Sequence, residues 1–149
     1  LAGYERALRE RGIEPDPALV LPCAYYIPEA YEVAARLLET DATAVFAGSD
    51  NIALGMLKRL YGQGLRVPRD YSVVSYDNSA ADVLFEPALT SIEQNVDELA
   101  AAALDVMFRR VGEDELGEPE ERILMPRLVI KSSVRALAGA EKNGGSESI

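Results

Sequence analysis

Ala44-Val-Phe-Ala-Gly-Ser-Asp-Asn-Ile-Ala-Leu-Gly55, followed by Gly64-Leu-Arg-Val-Pro-Arg-Asp70 and Ser72-Val-Val-Ser-Tyr-Asp77, decides the fold. Ala44 to Ala47 and Ser72 to Tyr76 are apolar runs too short for helices, rich in β-branched and aromatic residues, as buried parallel strands are. Between them Ala53, Met56, Leu57 and Leu60 recur at helical spacing. Ser49 or Asp50 can cap the start of that helix, and Gly62 and Gly64 can end it. The three pieces form a βαβ unit. In open α/β sheets ligands settle beyond the carboxyl ends of the strands, so Gly48, Ser49 and Asp50 at one tip and Asp77 and Asn78 at the other mark a site.

Upstream, Leu1, Tyr4 and Leu8 share a helical stripe that Gly12 ends, and Ile13-Glu-Pro-Asp-Pro17 turns into Ala18 to Leu21, a predicted strand. Pro28 suits the first turn of a helix whose buried face is Tyr31, Ala34, Ala35 and Leu38. Downstream, Leu89 to Ile92 reads as a short strand, and Asn95 with Glu98 resembles a helix-starting box for a helix to about Val111, with Leu99, Ala103, Val106 and Met107 on its apolar face. Residues 112–121 form an acidic loop, Ile123 to Met125 and Leu128 to Ser132 are extended segments around Pro126, and residues 138–149 have a disordered composition.

The 149 residues, 48% of them hydrophobic, suffice for one substantial core. A net charge of −10 argues against this polypeptide gripping a phosphate backbone, which needs clustered Lys and Arg. The single Cys23 precludes an internal disulfide, and without His the usual zinc ligands are missing, so no metal or cofactor is expected. A reducing, cytoplasmic setting fits, and no apolar run approaches the roughly 20 residues needed to span a bilayer. The start at Leu1, inside a helical pattern, suggests a fragment of a longer protein.

Leu1-Ala-Gly-Tyr-x-x-Ala-Leu8, Val45 to Gly55, Gly64-Leu-Arg-Val-Pro68, Ser72 to Asn78 and Pro87-Ala-Leu-Thr-Ser-Ile-Glu-Gln94 together resemble the lactose/galactose repressor (LacI/GalR) family. The resemblance implies an α/β, Rossmann-like three-layer lobe with a mostly parallel sheet, of the periplasmic-binding-protein type I. Residues 1–92 and 122–137 would form the second effector-binding and dimerisation lobe. Residues 93–111 would belong with the first lobe, and the DNA-binding head would lie outside the chain. The implied partners are a sugar or nucleoside-like effector, a second copy of the chain, and operator DNA reached only through that head, with no membrane. A solute-binding protein of a transporter shares the architecture and is the alternative.

By the same resemblance Asp77 receives effector hydroxyls, Ser49 and Asp50 are polar contacts, Tyr25 packs on the ligand's ring face with Tyr26 as its substitute, and Gln94 lines the cleft. Met56, Leu57, Leu84 and Phe85 would lie at the dimer interface. Each has a plainer reading: Asp77 caps a turn, Ser49 or Asp50 caps a helix, Tyr25 lids the core, Gln94 bonds loop backbone, and Met56 and Leu57 are core. Ser75 stands where the family commonly has Gly, adding a side chain near the site. Catalysis is not expected: there is no His, no Gly-x-Ser-x-Gly elbow and no nucleophile beside Asp50 or Asp77. The helix from Asn95, with its partner lobe elsewhere, is expected to dock on its own lobe or on a second copy.

Overall fold

The computed structural model describes residues 1–79, 86–111 and 121–136. Its elements are α1 (Ala2–Arg9), α2 (Ile27–Leu37), β1 (Ala44–Phe46), α3 (Asp50–Gly62), β2 (Ser72–Asp77), β3 (Thr90–Glu93), α4 (Val96–Arg110) and β4 (Arg127–Val129). Local chemistry accounts for the boundaries. Pro28 sits in the first turn of α2, where its missing N–H costs nothing. Ser49 Oγ accepts the Ile52 amide at 3.2 Å and starts α3. Gly64, at φ +78°, ends it: the Leu65 amide turns back to the Leu60 carbonyl at 3.0 Å, a close that Gly makes without steric penalty.

The sheet order is β1-β2-β3-β4, with the first three strands parallel and β4 antiparallel to β3. The expected βαβ unit is β1-α3-β2. Its register sets Asp77 opposite Glu93, so both strands end together. Beyond β4 the buried Ser133 hydroxyl donates to the Val73 carbonyl at 2.6 Å and accepts the Thr90 amide at 2.7 Å, tying the other ends of β2 and β3.

The core lies between the sheet and the α2–α3 pair. Leu57, Leu60 and Val73 are almost wholly buried, and Ala34, Leu37, Ala47, Met56 and Leu89 join them. Gly55 lets the two helices meet: a Cβ there would lie 2.4 Å from the Ile27 carbonyl oxygen and 2.6 Å from the Ala30 Cβ.

Several expectations need correction. Ala18 to Leu21 is not a strand; Pro17–Leu19 is a 3-10 turn whose Ala18 amide is capped by the Asp16 carboxylate at 2.8 Å, and β1 remains the sheet edge. Ile123 to Met125 stays outside the sheet, which resumes at Arg127 after Pro126, a residue with no amide to donate. Met56 and Leu57 face inward under α2, with 6% and 1% exposure, so neither offers surface to a second chain. Leu84 and Phe85, with residues 112–120 and 137–149, lie outside the described residues. Helix α4 does not dock on its own lobe: α2 and α3 supply the helical cover of the core, no residue of α4 is buried, and Val96, Leu99, Leu104, Met107 and Phe108 are exposed. Helix α1 likewise buries nothing.

Gly55→Ala is expected to destabilise the full-length protein by about 1–3 kcal/mol, because backbone rather than a flexible side chain blocks the new methyl. A urea midpoint equal to wild type would contradict the close helix contact.

Candidate functional site

At the end of β2, Asp77 (φ 106°) and Asn78 (φ 49°) both occupy the left-handed half of conformational space, which a residue with a Cβ rarely enters unless its surroundings compel it. The compelling contacts are visible. The Asn78 amide donates to Ser91 Oγ at 3.1 Å, its side-chain Nδ2 to Glu93 at 2.8 Å, and Lys131 Nζ donates to its Oδ1 at 2.5 Å. The Ser79 amide donates to Asp50 at 2.7 Å. Asp77 itself is half-buried and accepts the Gln94 side-chain amide on Oδ1 at 3.1 Å. Among the described residues nothing donates to its Oδ2. A carboxylate with one oxygen held and one available accepts hydroxyl or amide donors from a ligand by charge-assisted bonds.

Of the two residues able to cap α3, the structure uses Ser49. Ser49 is the helix cap, 4% exposed, with its oxygen on the Ile52 amide. Asp50, also 4% exposed, turns under the sheet tips and accepts Ser75 Oγ at 2.6 Å, Ser79 Oγ at 2.8 Å and Ser91 Oγ at 3.4 Å besides the Ser79 amide. It is neither a cap nor open to a ligand, since its oxygens are saturated by donors from β2, β3 and the turn between them. Ser75 is fully buried against it, so the side chain added there meets Asp50 rather than an opening.

Tyr25 is 64% exposed and so is no lid on the core; its carbonyl accepts Asn51 Nδ2 at 3.5 Å, which fixes it beside the start of α3. With Gly48 it borders a cavity of about 400 Å³ between α2 and β1, lined mainly by apolar residues such as Leu21, Val33 and Val45. Tyr26 is exposed and does not line it. Asp77 and Gln94 do not line that cavity either, so the candidates fall into two groups: the Asp77–Gln94 pair, and Tyr25 with Gly48. Gln94 bonds Asp77 rather than loop backbone.

Sequence reading missed Asn78, Glu93, Arg127 and Lys131 as one network. Arg127 Nε donates to Glu93, and that bond, with the Asn78 amide and the Arg127 and Lys131 charges, holds the Glu93 carboxyl below the usual carboxylate range against a smaller desolvation penalty. The signal was the Asp77–Glu93 pairing, two like charges side by side that call for cations, and it is visible only once the register is known. Among the described residues no group of three or more His, Cys, Asp or Glu is placed to hold a metal ion, and no helix is long and apolar enough to cross a membrane.

A family model described as periplasmic binding protein-like domain matches residues 1–134. The chain is 36% identical over 138 residues to the HTH-type transcriptional repressor PurR of Histophilus somni, covering 91% of this chain and 41% of that protein. The chain belongs to the LacI/GalR family. To the catabolite control protein A of Streptococcus mutans, the identity is 32% over 120 residues, covering 80% of this chain and 36% of that protein. A LacI-family transcriptional regulator from Enterococcus faecium, solved with bound ribose, superposes with a TM-score of 0.84 at 32% identity over 91% of this chain and 50% of that one. The chain thus spans about 40% of the length of its first curated relatives. Its α/β fold with a mixed, mostly parallel sheet is that of the effector-binding region of LacI/GalR regulators.

The Glu93 network carries a sign. Its folded-state pKa lies below the unfolded one, so the stabilisation is fully present above the ordinary carboxylate range and is lost as pH falls through the lowered value. Stability of the wild type should therefore fall more steeply between about pH 5 and pH 3 than that of Glu93→Gln. Urea midpoints that decline in parallel would contradict the network.

Proposed function

We propose that this chain is the second lobe and dimerisation region of a cytoplasmic, homodimeric LacI/GalR transcription regulator, and that it takes a sugar or nucleoside-like effector in an interlobe cleft. The observation that carries the reading is Asp77: a half-buried carboxylate, forced into a strained turn at a strand tip, with Gln94 on one oxygen and the other available. Backbone strain that the surroundings enforce is concentrated at working sites. Ribose, bound in the structure of the Enterococcus faecium relative, is rich in the hydroxyls that such a carboxylate accepts. Tyr25, exposed beside Gly48, supplies a flat apolar surface for a ring. Ser49, buried with its oxygen on the cap, has only its O–H to offer.

Exposed apolar side chains on α4 support packing of that helix on the first lobe, as expected for residues 93–111. The effector bridges the lobes and acts through its differential affinity for open and closed arrangements, changing the spacing of attached DNA-binding heads. With a net charge of −10, the chain is suited to leave operator contact to those heads. No chemical step is assigned to this site: Asp50 is enclosed by donors, and Asp77 is read as an acceptor for ligand hydroxyls.

In the full-length regulator, Asp77→Ala should weaken effector binding at least about tenfold, the scale of a hydrogen bond to a charged group, and leave operator affinity without effector unchanged. Fluorescence anisotropy on operator DNA, with and without sugars and nucleosides, reads both. A retained effector response would remove Asp77 from the site.

A further inference from the structure

We propose that Asp50 is a positioning residue for Asp77: from inside the fold it grips the chain on both sides of the ligand-facing carboxylate and sets where that carboxylate points. The inference rests on the effector role of Asp77 given above and adds a residue that touches no ligand. Ser75 lies two residues before Asp77 and Ser79 two residues after. Asp50 Oδ1 accepts the Ser75 hydroxyl at 2.6 Å, and Asp50 Oδ2 accepts both the Ser79 amide at 2.7 Å and the Ser79 hydroxyl at 2.8 Å. One carboxylate therefore brackets the two strained residues, Asp77 and Asn78.

The bracket is anchored where it matters. Asp50 is the first residue of α3, directly after the Ser49 cap that closes the β1 tip, and α3 is held by the buried face it presents to α2 and β2. The β1 and β2 tips are consequently one body, and the acceptor is set before any ligand arrives. Ser91 extends the grip to β3, since its hydroxyl lies 3.4 Å from Asp50 Oδ1 and accepts the Asn78 amide at 3.1 Å. A carboxylate suits this point because both of its oxygens accept; an Asn amide keeps one acceptor, so either the Ser75 hydroxyl or the Ser79 amide and hydroxyl lose the oxygen they donate to. A preorganised acceptor binds more tightly because less ordering is left to the ligand.

The test uses the full-length regulator containing this chain. In ligand-free protein, hydrogen exchange followed by mass spectrometry should show Asp50→Asn accelerating a peptide that covers residues 76–79 at least tenfold, while a peptide covering residues 53–60 of α3 keeps its wild-type rate. Equal rates in both proteins, or equal acceleration of both peptides, would overturn the proposal, the second because it marks a loss of the fold rather than of the turn. Calorimetric titration with D-ribose supplies the functional readout. Asp50→Asn should weaken ribose binding at least tenfold in the wild-type background and less than twofold in the Asp77→Asn background, as expected if it acts through Asp77. Additive losses would overturn it. A wild type that ignores ribose counts against a ribose effector, and the exchange pattern then decides the positioning role by itself.

Discussion

The charge of Asp50, taken out of water at the head of α3, is the constraint to which the site end of this fold answers. An isolated buried carboxylate is costly, and the cost is offset only where donors surround it closely. Here the donors come from β2, β3 and the turn after β2, and the helix N-terminus adds its own favourable field. Satisfying one ion thereby draws three strand tips to a common point. At the opposite end of the sheet Ser133 does a similar thing with a neutral hydroxyl, joining β2 to β3 through Val73 and Thr90. Between those polar anchors the core is ordinary: small residues of α2 against Gly55, and Leu57 and Leu60 over Val73.

This arrangement is what supports the proposed sensing role. A tip tied this firmly can hold Asp77 and Asn78 in conformations that isolated residues avoid, and it leaves the Asp77 carboxylate half-buried, with one oxygen that no donor among the described residues takes. Glu93 beside it is neutralised by Arg127 and linked through Asn78 to Lys131, so the like-charge neighbour does not disturb the acceptor. Helix α4, with Val96, Leu99, Leu104, Met107 and Phe108 exposed, carries apolar surface that the core beside it does not cover.

How much of this was legible in the residues depends on the range of the interaction. The βαβ unit, the Asn95 cap and the end of α3 rest on neighbours three or four positions apart, and the structure reproduces them. Ala18 to Leu21 failed because a short apolar run does not carry its own partner: Asp16 and Pro17 made a capped turn instead, and β1 kept a bare edge. Ser49 and Asp50 were indistinguishable in sequence, both being good caps, and only the approach of Ser75, Ser79 and Ser91 from 25 to 41 residues away decided which one turned inward. Helical spacing groups Met56 and Leu57 with Ala53 and Leu60, whereas the resemblance offers them to a second chain; their burial fits the core reading, and Gly55, where a Cβ would strike backbone, marks the side of α3 that meets α2. The Glu93 cluster required the β2–β3 register before it could be read at all.

The most direct measurement is a crystal structure of the full-length regulator with its effector bound. A ligand lying between two lobes, with at least one hydroxyl or amide donor within hydrogen-bonding distance of the Asp77 carboxylate and Asp50 still enclosed by its serines, is the expected result. A ligand seated elsewhere, with Asp77 turned to bulk water or packed against protein, would contradict the sensing role.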